Sequence, residues 1–185
     1  LVSLTNIVES RKQMKRSTFV AYIDFKRAYD GIRRDKLWHK LEMLGLRGDS
    51  KFLGAIKSLY DNVMCSVRLK GILSEWFPVN VGLKQGCLIS PSLFNFYIND
   101  LACKIKDSGL GVPIQNQSVS LLMYADDLVL ISENEKDLQN MLNILDDWCS
   151  EWNVVINEQK SKIMHFRNRS ISLTATNFMC GTKTI

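Results

Sequence analysis

The stretch Leu121-Leu122-Met123-Tyr124-Ala125-Asp126-Asp127-Leu128-Val129-Leu130-Ile131 holds two apolar runs joined by Ala-Asp-Asp, each too short for a globular helix. Such runs, broken by turn residues, predict two strands closing a tight hairpin. Apolar character on both sides of the turn suits a pair central in a sheet, because a strand covered on both faces loses its polar alternation. An Asp pair at a hairpin tip is by itself ordinary turn chemistry. Phe19-Val20-Ala21-Tyr22-Ile23 gives it another meaning, being a second continuous apolar run that ends at Asp24. If these strands are neighbours, three carboxylates converge at one edge of the sheet.

Two like charges about 4 Å apart repel by roughly 4 kcal/mol at an effective dielectric of about 20. Three ionised carboxylates therefore need a compensating charge, and a divalent cation supplies it. Oxygen ligands without His or Cys point to magnesium rather than zinc, and magnesium held by few carboxylates keeps waters and substrate phosphates as its other ligands. Two such ions, about 3.5–4 Å apart, suit the activation of a 3′-hydroxyl and the stabilisation of a leaving pyrophosphate. The chemistry implied is nucleotidyl transfer.

Working outward, Leu1, Leu4, Ile7, Val8, Arg11 and Met14 predict a first helix. Leu37, Trp38, Leu41 and Leu44 predict another, stopped by Gly45, and Phe52, Ile56, Leu59 and Tyr60 a third. Residues 66–70 and 76–81, separated by 71–75, read as a hairpin. Ser90-Pro91 reads as an N-cap and N1 proline for a helix whose apolar stripe runs from Leu93 to Ile105. Leu138, Met141, Leu142, Leu145, Trp148, Cys149 and Trp152 form the clearest helical stripe and are assigned to core. Residues 154–156, 161–166 and 171–174 read as short closing strands. Mixed helices and hairpins favour an α+β fold with an antiparallel sheet packed on helices.

The whole chain has 185 residues, 46% of them apolar and 23% charged, which fits one domain with a sizeable core and excludes a disordered class. No apolar stretch of eighteen residues exists to cross a bilayer, so a soluble, membrane-free class is expected. Five widely spaced cysteines without a C-x-x-C, and only two histidines, make a disulfide framework and a zinc site poor fits and suit an intracellular setting. Residues 1–85 carry 16 Lys and Arg against 8 Asp and Glu, whereas residues 86–185 carry 8 against 11. The basic half, with clusters at Arg11-Lys12, Lys15-Arg16, Lys26-Arg27 and Arg33-Arg34-Asp35-Lys36, suits a polyanion, although helix faces rich in Lys and Arg are commonly just solvated. The first residue is Leu1 and no signal-peptide pattern follows, so a fragment of a longer protein is expected.

Three blocks, residues 19–30 (FVAYIDFKRAYD), 82–94 (GLKQGCLISPSLF) and 124–127 (YADD), resemble successive motifs of reverse transcriptases in order and spacing. The flanking text, including residues 74–77 (SEWF), 96–101 (FYINDL) and 157–162 (NEQKSK), is similar to the non-LTR, LINE-type retrotransposon branch. The resemblance implies a right-hand polymerase with a palm over about 17–34 and 79–166, fingers-side segments over about 1–16 and 35–78, and no thumb. It implies an RNA-directed DNA polymerase that uses dNTPs, an RNA template and a DNA primer with two Mg2+ ions, for which Mn2+ can substitute, and it implies a nuclear location for a LINE-type element.

By the same resemblance Asp24, Asp126 and the backbone carbonyl of Phe25 hold the metals, and Asp127 ranks third as a supporting residue. Tyr29 takes the place of an aromatic gate against the ribose 2′-hydroxyl, and it also reads as a core aromatic. Gln85 and Gly86 match residues near the incoming nucleotide, while a plain turn before a helix explains them equally. Lys160 matches a lysine that protonates pyrophosphate, with Lys162 competing for that role and a surface lysine as the plain reading. Asp30 reads as a helix cap or a site residue. Basic fingers residues, primer grip and endonuclease are not identifiable, so such a piece is expected to fold yet polymerise poorly alone. The alternatives are a viral RNA-dependent RNA polymerase, against which Tyr29 argues, and a decayed element product that only binds RNA, against which the intact aspartates argue.

Overall fold

The structure, a computed structural model, describes residues 2–46, 51–115 and 117–185. Leu1, expected in the first helical stripe, lies outside the described residues. The order is α1 (Val2–Gln13), β1 (Thr18–Ile23), α2 (Arg34–Met43), α3 (Lys51–Ser58), β2 (Met64–Cys65), β3 (Arg68–Leu69), β4 (Ile72–Leu73), β5 (Phe77–Pro78), α4 (Ser90–Asp107), β6 (Val112–Ile114), β7 (Gln117–Val119), β8 (Leu121–Tyr124), β9 (Asp127–Ser132), α5 (Glu135–Trp152), β10 (Lys162–Phe166), β11 (Met179–Cys180) and β12 (Lys183–Thr184). Where one domain is expected, the chain divides into two compact units, residues 1–26 with 98–185, and residues 27–97. The palm segments expected over 17–34 and 79–166 have residues in both.

The larger unit is built on a four-stranded antiparallel sheet in the order β10-β1-β9-β8. Phe19, Ala21 and Ile23 stand opposite Ser132, Leu130 and Leu128, and Val20 and Tyr22 opposite Ile131 and Val129. Directly opposed residues of an antiparallel pair share a face, so these two sets line opposite faces of the sheet. The Val20 and Ile131 face is covered by Leu4 and Ile7 of α1 and by Val112. α5 packs on β9 and β1 with Leu138, Met141, Leu142, Leu145 and Trp148 buried. Burial on both faces is why the Thr18–Ile23 run shows no polar alternation. α5 starts three residues before its apolar stripe because the Asn134 side chain accepts the Asp137 N–H at 2.9 Å, and it ends at Asn153 with φ +57°.

The smaller unit gathers α2, α3 and the first turns of α4 around Leu37, Leu41, Leu53, Tyr60 and Phe94, all buried. Its hairpin differs from expectation. β3, within the expected strand 66–70, pairs with β4, which lies inside the segment 71–75 read as a loop, and β2 pairs with β5 outside them, giving two nested two-residue ladders. All four strands are exposed, so no alternation marked them. Ser90 is not a cap. Ile89 O accepts the first helical bond from Leu93 N, and the Ser90 hydroxyl instead donates to Lys84 O at 2.7 Å. Asp30 caps nothing either, since α2 begins at Arg34 after Arg33. At the other end of the chain, residues 154–156 make only a bridge at Ile156, residues 171–174 form no strand, and the closing hairpin is β11–β12.

Candidate active site

β1 and β9 are neighbours, and their register brings the carboxylate-bearing ends together. Ile23 pairs with Leu128, so one step further along both strands sets Asp24 opposite Asp127 on the face that also carries Tyr22 and Val129. β8 and β9 close with Tyr124 opposite Asp127, leaving Ala125 and Asp126 as a two-residue loop. Ala125 has φ +54° and Asp126 does not have positive φ, the pattern of a II′ rather than a I′ turn. A left-handed alanine costs about 1–2 kcal/mol, so the loop carrying Asp126 is strained.

Asp24 is fastened at three points. Its N–H donates to Ser161 Oγ at 3.1 Å, its carbonyl accepts from Asn157 N at 2.8 Å, and its Oδ2 accepts from Asn157 Nδ2 at 2.8 Å. Phe25 forms an antiparallel bridge with Ile156, flanked by Asn157 N to Asp24 O and Lys26 N to Val155 O. In a bridge so flanked the central residue turns its own N–H and C=O to the opposite side. The Phe25 carbonyl therefore points away from residues 155–157, toward the side where β9 begins, while its ring is buried.

A cavity of about 700 Å³ opens on this face, walled by Tyr22, Asp24, Leu122, Tyr124, Asp127 and Lys160 among others. Burial pushes the Tyr22 phenol above its ordinary value, so it remains a neutral donor. Asp126 sits exposed at the tip of the turn, outside that wall. The expected convergence of three carboxylates is corrected accordingly: among the described residues no three Asp, Glu, His or Cys side chains are grouped to hold one cation. The reason is the two-residue loop, which puts Asp127 on the strand and Asp126 off it. The donors still suit a hard cation. They are carboxylates and a carbonyl, and among the described residues no Lys or Arg side chain pairs with Asp24, Asp126 or Asp127, so their charge is left for an ion that keeps water and phosphate ligands.

Lys160 lies exposed in the cavity wall, whereas the Lys162 ammonium is tied locally to Gln159 O at 2.6 Å and Ser161 O at 2.8 Å. In the smaller unit, Tyr29 is half-buried and stacks on Phe94 with centroids 4.6 Å apart. Gln85 is exposed and donates to Asp30 Oδ1 at 3.0 Å, and Gly86 is exposed with φ +78°. Asn157 and Ser161 were not singled out by the sequence; the available signal was a polar run after residues 154–156.

Two residues of the basic clusters, Arg11 and Arg34, turn their guanidinium groups to groups inside the fold, whereas Arg33 stays exposed. Arg11 is buried, bonded to Thr18 Oγ1 and Ser17 O and paired with Glu133 at 2.8 Å. Arg34 donates to the carbonyls of Tyr60, Val79, Val81 and Gly82, and Arg33 pairs with Asp35 at 2.8 Å. The carbonyl cluster needs Gly82: a Cβ there, at φ +81°, would meet the Asp30 carbonyl oxygen at 2.8 Å.

Residues 2–180 match the family model described as reverse transcriptase (RNA-dependent DNA polymerase). The chain is 26% identical over 183 residues to a Pol polyprotein of the type-1 retrotransposable element R2 of Popillia japonica, covering 98% of this chain and 24% of that protein. It is 29% identical to the type-2 element R2DM polyprotein of Drosophila melanogaster, over 78% of this chain and 13% of that one. The mobile element jockey RNA-directed DNA polymerase of Drosophila melanogaster is 24% identical over 81% of this chain and 16% of its own length. The chain thus spans about a quarter or less of these relatives. Among solved structures, telomerase from Candida albicans in complex with a fragment of telomeric RNA superposes with a TM-score of 0.67 at 15% identity, over 95% of this chain and 31% of that one. Apo telomerase from Candida tropicalis gives 0.65 at 15% identity, over 95% and 35%. These two likenesses bear on the fold, an α+β polymerase palm, and the family match over nearly the whole chain decides the rest: the chain belongs to the reverse transcriptase (RNA-dependent DNA polymerase) family, with the non-LTR retrotransposon polymerases as its relatives.

Proposed function

We propose that this chain carries the catalytic centre of an RNA-directed DNA polymerase that extends a DNA primer along an RNA template with dNTPs in a non-LTR retrotransposon, acting in the nucleus. The observation that carries the reading is the β1–β9 register, which sets Asp24 opposite Asp127 on one cavity face, next to the turn that carries Asp126, with no Lys or Arg paired to any of the three among the described residues. Asp24, Asp126 and the Phe25 carbonyl are the residues to hold two Mg2+ ions, with Asp127 in support on the face of Asp24. Bound there, the ions supply activation of the primer 3′-hydroxyl and charge stabilisation on the leaving pyrophosphate. The chain's own residues do the rest. Asn157 and Ser161 hold Asp24 in place, Lys160 delivers a proton to the leaving pyrophosphate, Gln85 and Gly86 line the approach of the nucleotide, and Tyr29 excludes a ribose.

The test is template-dependent primer extension by the full-length protein that contains this chain. Asp126→Asn removes a charge without changing volume and should abolish extension with Mg2+ or Mn2+, as should Asp24→Asn, with Asp127→Asn milder. A folded Asp126→Asn protein with near-normal extension refutes the assignment of Asp126.

A further inference from the structure

Asp24 is held by a single short turn, residues 157–161, lying more than 130 positions away in the chain. That turn is closed by Asn157 O, which accepts the N–H groups of Lys160 and Ser161 at 3.1 and 2.8 Å. It reaches Asp24 at three atoms of different kinds: Ser161 Oγ takes the backbone N–H, Asn157 N satisfies the backbone carbonyl, and the Asn157 side-chain amide donates to Oδ2. Two of these bonds place the main chain. The third acts on the carboxylate alone.

We infer that Asn157 is a positioning residue that aims the Asp24 carboxylate at its cation. The reasoning is chemical. A carboxylate offers two oxygens and about four lone-pair sites, and rotates freely unless one oxygen is tied. Here Oδ2 is tied by an amide, so Oδ1 is the oxygen presented. The choice of donor matters as much as the bond. A Lys or Arg in this place would orient the carboxylate and also cancel its charge, whereas the neutral amide orients it and leaves the full charge for a metal. The same turn carries Lys160 into the cavity wall, so one local structure sets both the carboxylate and the candidate proton donor. Partners that orient metal ligands in this way are worth about 10–100-fold in metal affinity.

This inference rests on the reading of Asp24 as a metal ligand, and the experiment separates the two. Mn2+ alone is titrated into the purified chain without nucleic acid, with uptake followed by electron paramagnetic resonance of the free ion and melting temperature measured beside it. The wild type should bind Mn2+, and Asp24→Asn should lose that binding. Uptake unaffected by Asp24→Asn, or no uptake at all, overturns the reading of Asp24 and the inference with it. Given that loss, Asn157→Ala should weaken Mn2+ binding about tenfold, while Ser161→Ala, which removes only a main-chain strap, should lower the melting temperature without a comparable loss. Unchanged affinity in Asn157→Ala, or affinity that merely tracks melting temperature in both variants, overturns the positioning role. Should Asn157→Ala fail to fold, Asn157→Ser keeps a small polar side chain that falls short of Oδ2, and the same tenfold loss is expected of it, with wild-type affinity again overturning the inference.

Discussion

Tyr29 shows how one side chain serves packing and chemistry together. Its ring lies flat on Phe94, 13° from parallel, and is half-buried, so the reading as a core aromatic holds whatever else the residue does. The proposed gate adds a second demand, a phenol ring too large to leave room for a 2′-hydroxyl. Tyr29→Val separates them. Removing a packed aromatic costs up to about 3–5 kcal/mol, less where the ring is half-exposed, and melting should fall accordingly. Discrimination against ribonucleotides by the full-length polymerase should fall as well, with deoxynucleotide use retained. An unchanged preference in a folded, active Val variant leaves Tyr29 with its packing role only. Asp24 and the Asp126-Asp127 pair were legible because they end or join apolar runs. The role of Asn157 was not, since one residue within a polar run has no periodicity to mark it and its partner lies 133 positions away.

At the level of elements, strongly periodic segments were read correctly and short exposed ones were not. α5 carries seven buried side chains at helical spacing, enough to define its face, and the cap that sets its start at Glu135 contributes no apolar residue to that stripe. The two-residue strands between Met64 and Pro78 bury nothing, so no pattern existed to reveal which residues pair. What holds their bases is Arg34, whose guanidinium binds four backbone carbonyls and lies 5.0 Å over the Tyr60 ring. Arg34→Met leaves those carbonyls short of donors and should cost on the order of 2 kcal/mol in chemical denaturation. Arg34→Lys should not restore it, because one ammonium lacks the planar fork; full rescue by lysine would show that charge alone matters. In the larger unit, Glu158 pairs with Lys26 at 2.9 Å and Lys183 at 3.7 Å, linking the turn under Asp24 to β12. The Lys26 hydrogen bond is the main cause that draws the Glu158 carboxyl from 4.5 down to about 2. A carboxyl held lower in the folded than in the unfolded chain contributes stability that is complete above pH 4.5 and is lost as pH falls from 4.5 toward 2. The melting-temperature advantage of wild type over Lys26→Met should shrink across that window, and an advantage constant from pH 6 to pH 2 would remove the pair as its source.

For the molecule as a whole, the basic surplus of the first 85 residues is smaller at the surface than in the sequence. Arg11 and Arg34 direct their charge to carbonyls, a hydroxyl and a carboxylate within the fold. Sequence cannot separate these from solvent-facing cations, because a buried arginine and an exposed one have the same spacing and differ only in what the fold brings beside them. Lys12, Lys15, Arg16, Lys26, Arg27 and Arg33 remain exposed; Arg16, Lys26 and Arg33 lie beside Glu133, Glu158 and Asp35, so any phosphate contact from the clusters falls chiefly to Lys12, Lys15 and Arg27. Each neutralised phosphate releases condensed counterions and adds about 0.7–0.9 to the magnitude of the slope of log K against log salt. Binding of the full-length protein to an RNA template and DNA primer duplex should therefore be steeply salt-dependent. The paired change Lys12→Gln with Lys15→Gln should flatten the slope by about 1–2 if both lysines meet phosphate, while Lys136→Gln, exposed on α5 in the acidic half, should leave it as it was. The comparison is made on slopes rather than on affinity at one salt concentration, because a fold defect lowers binding at every salt alike whereas a lost phosphate contact changes how steeply binding responds. A slope that is flat in the wild type, or one that Lys136→Gln alters as much as the Lys12 and Lys15 pair, removes α1 and the residues after it from the nucleic-acid surface even if the aspartates perform as proposed.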